Sequence, residues 1–155
     1  MKLSAHFDSS EFACKCGCGG LHNGADINPR LVQVLERMRA IIGKPLVLSC
    51  GYRCPAHNAE VGGVSNSQHI YGTAADVQCP DGVMLQSLYD AAVTAGADGI
   101  GIYSWGVHVI YCLSPRKSYT TCIIAIKQQS ISFIGCYTYN GINICGIVDF
   151  TIRVV

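Results

Sequence analysis

The residues best suited to chemistry lie in Ser65-Asn66-Ser67-Gln68-His69-Ile70-Tyr71-Gly72-Thr73-Ala74-Ala75-Asp76-Val77. His69 closes a polar loop; seven residues later Asp76 stands between Ala75 and Val77 in an apolar run. A carboxylate in such surroundings is costly to bury unless a cation or a hydrogen-bonding partner meets it. His69 is the nearest partner, and Gly72 with two alanines lets backbones approach closely. His108 alternates with Val107 and Val109 in another candidate strand. Two imidazoles and one carboxylate, with a fourth position left open, are usual protein ligands of a catalytic zinc ion. Spacing alone is a weak warrant for a metal: a histidine seven residues from an aspartate is common by chance, and His108 also reads as a hydrogen-bonded core histidine, which is the plainer reading.

A longer series of motifs surrounds these residues. Ser49-Cys50-Gly51-Tyr52-Arg53-Cys54-Pro55, His57-Asn58, Val61-Gly62-Gly63-Val64, Ser67-Gln68-His69 through Asp76, Gly99-Ile100-Gly101-Ile102-Tyr103 and Val107-His108-Val109 follow in that order. Phe7-Asp8-Ser9-Ser10-Glu11-Phe12 and a Cys-Gly run precede them. The series resembles the zinc D-Ala-D-Ala carboxypeptidase family, which includes phage and bacterial L-alanyl-D-glutamate endopeptidases and shares its fold with the Hedgehog signalling domain. The resemblance covers about residues 6–109.

The resemblance implies that Zn2+ is held by His69, Asp76 and His108. It makes Arg53 the catalytic residue that holds a substrate carboxylate or polarises the scissile carbonyl, and it puts Ser67 in the substrate cleft. A guanidinium suits that task because its donors form a fixed fork. The plainer alternatives are a surface salt bridge for Arg53 and a turn position for Ser67. His57 is expected to be helix-capping or structural. The implied activity is zinc-dependent hydrolysis of peptidoglycan stem peptides, of the D-Ala-D-Ala carboxypeptidase or L-Ala-D-Glu endopeptidase type. Competing readings are a weak or inactive zinc-containing wall-binding module and a defective prophage product.

One departure stands out. A zinc peptidase needs a base for the attacking water and an acid for the leaving amine. The resemblance implies a carboxylate three residues before the last histidine, where this chain has Trp105, or two residues after it, where it has Ile110. Neither side chain can move a proton. Asp98, ten residues before His108, is a substitute that the sequence alone cannot place.

Cys14-Lys15-Cys16-Gly17-Cys18 forms a dense thiol run, and Cys50 and Cys54 flank Gly-Tyr-Arg. These thiols fit a second, structural zinc, against which the one-residue spacing argues. They also fit a tight loop of reduced thiols, or disulfides formed after release from the cell, which is the plainer reading. Cys112, Cys122, Cys136 and Cys145 sit in apolar strand patterns and read as small buried hydrophobes.

Positioning these groups falls to a few elements. Asn28 and Pro29 open a helix with Leu31, Val34, Leu35, Met38, Ile41 and Ile42 at helical spacing, and Gly43 closes it. A second helix is expected over about 81–95, ended by Gly96. Strands are expected at 46–49, 73–78, 99–103 and 107–112. Beyond His108 only one acidic residue, Asp149, remains, and β-prone runs fill 119–126, 130–139 and 142–155. Asn140-Gly141 marks a hairpin between the last two runs. The expected fold is α+β: a small antiparallel sheet with two main helices over residues 1–110, then a β-rich extension over 111–155, read as a meander or an added sheet edge. The loss of acids and histidines where the resemblance stops suggests a tail acquired by frameshift or recombination.

At 155 residues, one hydrophobic core is the default. Half the residues are hydrophobic and 14% are charged, which excludes a disordered chain. A net charge of +1 leaves no basic excess for a nucleic-acid backbone. No apolar run reaches the roughly 18 residues of a membrane span. The first residues lack the apolar stretch of a secretory signal. The expectation is a monomer made in the cytoplasm that acts on wall peptide after release or export, with no nucleic-acid or membrane partner.

Overall fold

The computed structural model describes residues 1–18 and 27–111, together with the backbones of 132–139 and 142–149. Four antiparallel strands, β1 (Leu48–Cys50), β2 (Ala74–Gln78), β3 (Gly99–Tyr103) and β4 (Gly106–Ile110), form one sheet in the order β1-β2-β4-β3. Among the described residues three α-helices accompany it: α1 (Pro29–Ile42), α2 (Pro55–Glu60) and α3 (Leu85–Ala95). The architecture is the expected α+β. Among the described residues no helix is long and apolar enough to cross a membrane.

Helix α1 begins and ends where its sequence dictates. The Asn28 side chain accepts a hydrogen bond from the Arg30 N–H, Pro29 takes the first helical position, and Gly43 closes the helix at φ 69°. Leu31, Val34, Leu35 and Met38 are buried on one face, each side chain stabilising the fold by roughly 1.5–3 kcal/mol. They pack with Leu88 and Ala92 of α3 and with Val77, Val107 and Val109 of the sheet. The second main helix starts four residues later than expected. Gly82 sits at φ 72°, which a right-handed helix cannot use, and Val83 N–H bonds back to the Pro80 carbonyl in a turn.

Strand alternation divides the sheet into two faces. Ala75, Val77, Val107 and Val109 pack in the core with the helices. Opposite them the register aligns Cys50 with Asp76, Asp76 with His108 and His108 with Gly101. Directly paired residues share a face, so the polar groups of three neighbouring strands meet on the side away from the helices. Gly106 permits this pairing: a Cβ there would lie 2.0 Å from the Val77 carbonyl oxygen.

Strands β5 (Ser132–Tyr139) and β6 (Ile142–Asp149) form a separate two-stranded antiparallel sheet. Tyr139 pairs with Ile142, the register a two-residue Asn140-Gly141 connection requires. This hairpin is a sheet of its own and not an added edge of the four-stranded sheet. The Asn140-Gly141 turn itself and the expected 119–126 strand lie outside the described residues.

Candidate metal centre

His69, Asp76 and His108 are all buried and converge on the polar side of the sheet. Asp76 in β2 stands between the two imidazoles. Its Oδ1 is 2.5 Å from His108 Nδ1, and its Oδ2 is 3.4 Å from His69 Nε2. The imidazole rings lie 4.9 Å apart, tilted by 60°. Two ligand atoms bound to one tetrahedral zinc at about 2.0–2.1 Å each lie roughly 3.3 Å apart. The His69–Asp76 separation matches that spacing, whereas His108 and Asp76 stand closer, in direct hydrogen-bond contact, and the ligand atoms lying within 4.8 Å of one another are those of Cys50, His69 and Asp76.

His69 is held in a fixed orientation. Its Nδ1 donates to the Gly51 carbonyl at 2.6 Å. Because a carbonyl only accepts, Nδ1 keeps its hydrogen and Nε2 faces Asp76, the arrangement expected of a metal-binding histidine. The loop carrying His69 is closed by Thr73, whose hydroxyl donates to Gln68, and by Gly72 at φ 63°.

The charges respond to this crowding. Burial opposes ionisation of Asp76, but hydrogen bonds from His108 and His69 outweigh it and hold the carboxyl well below the usual range. Burial also disfavours a charged His69, yet hydrogen bonds to Asp76 and Cys50 raise it to about 9. His108 is pushed down, chiefly by burial. In the metal-free site, therefore, one proton is held on His69, and a metal ion must displace it.

Arg53 stands beside this group with its side chain 17% exposed, too enclosed for an ordinary surface ion pair. Its Nη2 lies 3.2 Å from Cys50 Sγ and 3.9 Å from Asp76 Oδ2, while Nη1 donates to Asn58 Oδ1 at 3.3 Å. Asn58 is buried, and its amide also donates to the Val64 carbonyl at 2.9 Å. Gly63 makes room for it, since a Cβ there would sit 2.3 Å from Asn58 Oδ1. Ser67 lies in the turn before His69, its N–H bonded to Val64 and its carbonyl to Ile70. His57 belongs to α2, bonded through its N–H to Cys54 Sγ, the helix cap, and through Nδ1 to Glu60.

Three neighbours of the site were not singled out from the sequence. Cys50 lies 3.7 Å from His69 Nδ1, and with His69 and Asp76 it forms a group able to hold a metal ion. Burial opposes its ionisation, but hydrogen bonds from His69 and Arg53 lower its pKa. Asn58 positions Arg53. Tyr103, on the same sheet face two residues from Gly101, is raised to about 12, first by burial and then by the Asp76 charge. Its hydroxyl stays a donor. All three lay inside quoted motifs; their signal was membership of a motif, since their partners are distant in sequence.

The positions expected to carry a carboxylate are filled otherwise. Trp105 is half exposed and stacks on Tyr103 at 4.8 Å. Ile110 is fully buried on the same strand face as His108. Asp98 precedes β3 and bonds through its N–H to the Ile110 carbonyl.

The donor set thus fits a zinc ion: two imidazoles and a carboxylate, buried together, one imidazole oriented by a carbonyl. A family model described as Peptidase M15 matches residues 5–110. A stretch of 44 residues is 48% identical to a zinc D-Ala-D-Ala carboxypeptidase of Streptomyces albus G, covering 28% of this chain and 17% of that protein.

Proposed function

The chain belongs to the Peptidase M15 family, and from that premise we propose that it is a zinc peptidase acting on peptidoglycan stem peptides. Its cofactor is zinc, in keeping with the family and the similar carboxypeptidase. The observation that carries the reading is the buried Asp76 carboxylate between His69 Nε2 and His108 Nδ1.

His69, Asp76 and His108 would hold the ion. When bound, zinc acidifies a coordinated water to a pKa near 7 and polarises a peptide carbonyl. Gly51 keeps His69 turned towards the ion, and the sheet register keeps Asp76 opposite His108. Arg53, braced by Asn58, offers its guanidinium to the substrate's terminal carboxylate or to the scissile carbonyl oxygen. Tyr103 presents a neutral hydroxyl on the same face. Ser67, in the turn leading into His69, lines the approach to the ion. The bond cut is of the D-Ala-D-Ala or L-Ala-D-Glu type, and phage-encoded wall lysis is the setting this chemistry suits.

Ile110 and Trp105 supply no proton transfer. A missing general base lowers turnover on the order of 10²- to 10⁴-fold. The buried Ile110 beside His108 therefore favours a second reading, a zinc-containing wall-binding module with little turnover. Digestion of purified peptidoglycan, followed by analysis of released stem peptides, separates the two. The enzyme reading requires new amino or carboxyl termini that disappear in His69→Ala. Zinc binding and wall binding without new termini would establish the module instead.

A further inference from the structure

Apart from the centre just described, one other group of metal-ligating side chains gathers among the described residues: the thiols of Cys14, Cys16, Cys18 and Cys54. We propose that these four cysteines form a second metal site, a structural zinc held by four thiolates. This site is independent of the histidine–aspartate centre.

The geometry is that of one shared point. Cys14 Sγ lies 3.3 Å from Cys16 Sγ, and Cys16 Sγ lies 3.7 Å from Cys54 Sγ. All four sulfurs lie within 4.8 Å of one another. A tetrahedral zinc with bonds of about 2.3 Å sets its sulfurs roughly 3.8 Å apart. Two disulfides would instead sort the sulfurs into pairs about 2.05 Å apart. The one-residue spacing of Cys14, Cys16 and Cys18 argued against a metal in the sequence. The fold supplies the missing distant ligand, Cys54, from the start of α2.

Two backbone groups bear on the protonation state of these sulfurs. The Cys54 N–H points at Cys14 Sγ, and the His57 N–H points at Cys54 Sγ, each at 3.3 Å. N–H donors aimed at sulfur favour the thiolate and are the outer support expected around a thiolate-bound metal. Soft sulfur ligands in a tetrahedral set select zinc over calcium or magnesium. On binding, Zn2+ displaces four thiol protons to solvent and leaves a site of charge −2. Cys14 is buried while Cys16 and Cys18 are exposed, so the ion has an entry path from water.

The location gives the site its role. The 3-10 turn Ser9–Phe12 packs against Gly51 so closely that a Cβ there would lie 2.5 Å from Phe12 Cα. The Tyr52 N–H bonds to the Phe12 carbonyl at 2.8 Å. A metal joining Cys14, Cys16 and Cys18 to Cys54 would hold the Cys54 end of the loop that carries Cys50, Gly51 and Arg53, beside the contacts Phe12 makes with Gly51 and Tyr52.

Zinc content of the full chain, purified under reducing conditions, tests this. The wild type should hold about two zinc ions per chain. Cys16→Ser/Cys18→Ser, at exposed positions, should hold about one, and His69→Ala should lose the other. Cobalt loaded into His69→Ala should give thiolate-to-cobalt charge-transfer absorption, which needs no cysteine variant to fold. If His69→Ala retains one zinc that the double cysteine variant lacks, the thiol site stands even if the peptidase reading falls. Zinc content unchanged by the cysteine substitutions, no cobalt–thiolate absorption in His69→Ala, or an intact mass lighter by two hydrogens per disulfide among these cysteines would overturn it.

Discussion

At the scale of single residues, the site is a contest between burial and pairing. Asp76 remains charged in an apolar strand because two imidazoles face it. His69 holds its proton up to about pH 9 in the metal-free protein for the same reason. That folded value lies above the ordinary 6.5, so the proton is bound across neutral pH and competes with zinc. Apparent zinc affinity should therefore rise as pH increases from 6.5 towards 9, by up to tenfold per unit from this proton. Calorimetric titrations at several pH values check this; an affinity flat over that window would contradict it. Arg53→Ala should lower kcat/KM by roughly 10- to 100-fold, equivalent to a charge-assisted hydrogen bond of about 1.5–3 kcal/mol, while zinc content stays unchanged. Loss of zinc in that variant would show Arg53 to be structural. That His69, Asp76, His108 and Arg53 come together was legible in the sequence because each belongs to an ordered motif. Cys50 was not, since its contact with His69 exists only after a loop and a strand have been folded together.

At the scale of elements, the sheet register does the positioning. One residue of slip in β4 would turn His108 into the core and Val107 or Val109 towards Asp76. Gly106 guards that register, since any side chain there meets the Val77 carbonyl. Gly106→Ala should destabilise the fold by about 1–3 kcal/mol, measured by denaturant unfolding, and lower zinc content with it. A variant with unchanged stability and zinc content would remove this account of the register. Capping and periodicity made α1 legible to the residue, because Asn28, Pro29 and Gly43 act within a few positions of themselves. The start of α3 was not legible: the apolar spacing continues through Val83, whereas Gly82 adopts a backbone conformation that no apolar pattern reports. The short α2 was missed as well, for it has one buried residue, Asn58, and no apolar stripe.

At the scale of the whole molecule, the family match ends at residue 110, where the chain's acidic residues and histidines also nearly run out. We propose that the peptidase domain ends there and that 111–155 is a separate β-rich extension. The boundary falls on the strand that carries His108, two residues before the buried Ile110. Ile110→Asp should raise stem-peptide hydrolysis, on the order of 10²-fold or more if it restores general-base transfer. Its neighbours across the sheet are Ala74 and Gly99, small enough to admit a carboxylate. Equal activity in a zinc-loaded Ile110→Asp protein would mean that the missing carboxylate is not what limits turnover. The most direct test of the metal centre is an anomalous difference map, recorded at the zinc edge from crystals of the full chain. It should show a peak about 2 Å from His69 Nε2, His108 Nδ1 and an Asp76 carboxylate oxygen. A zinc-loaded crystal with no peak among those three side chains would contradict the account.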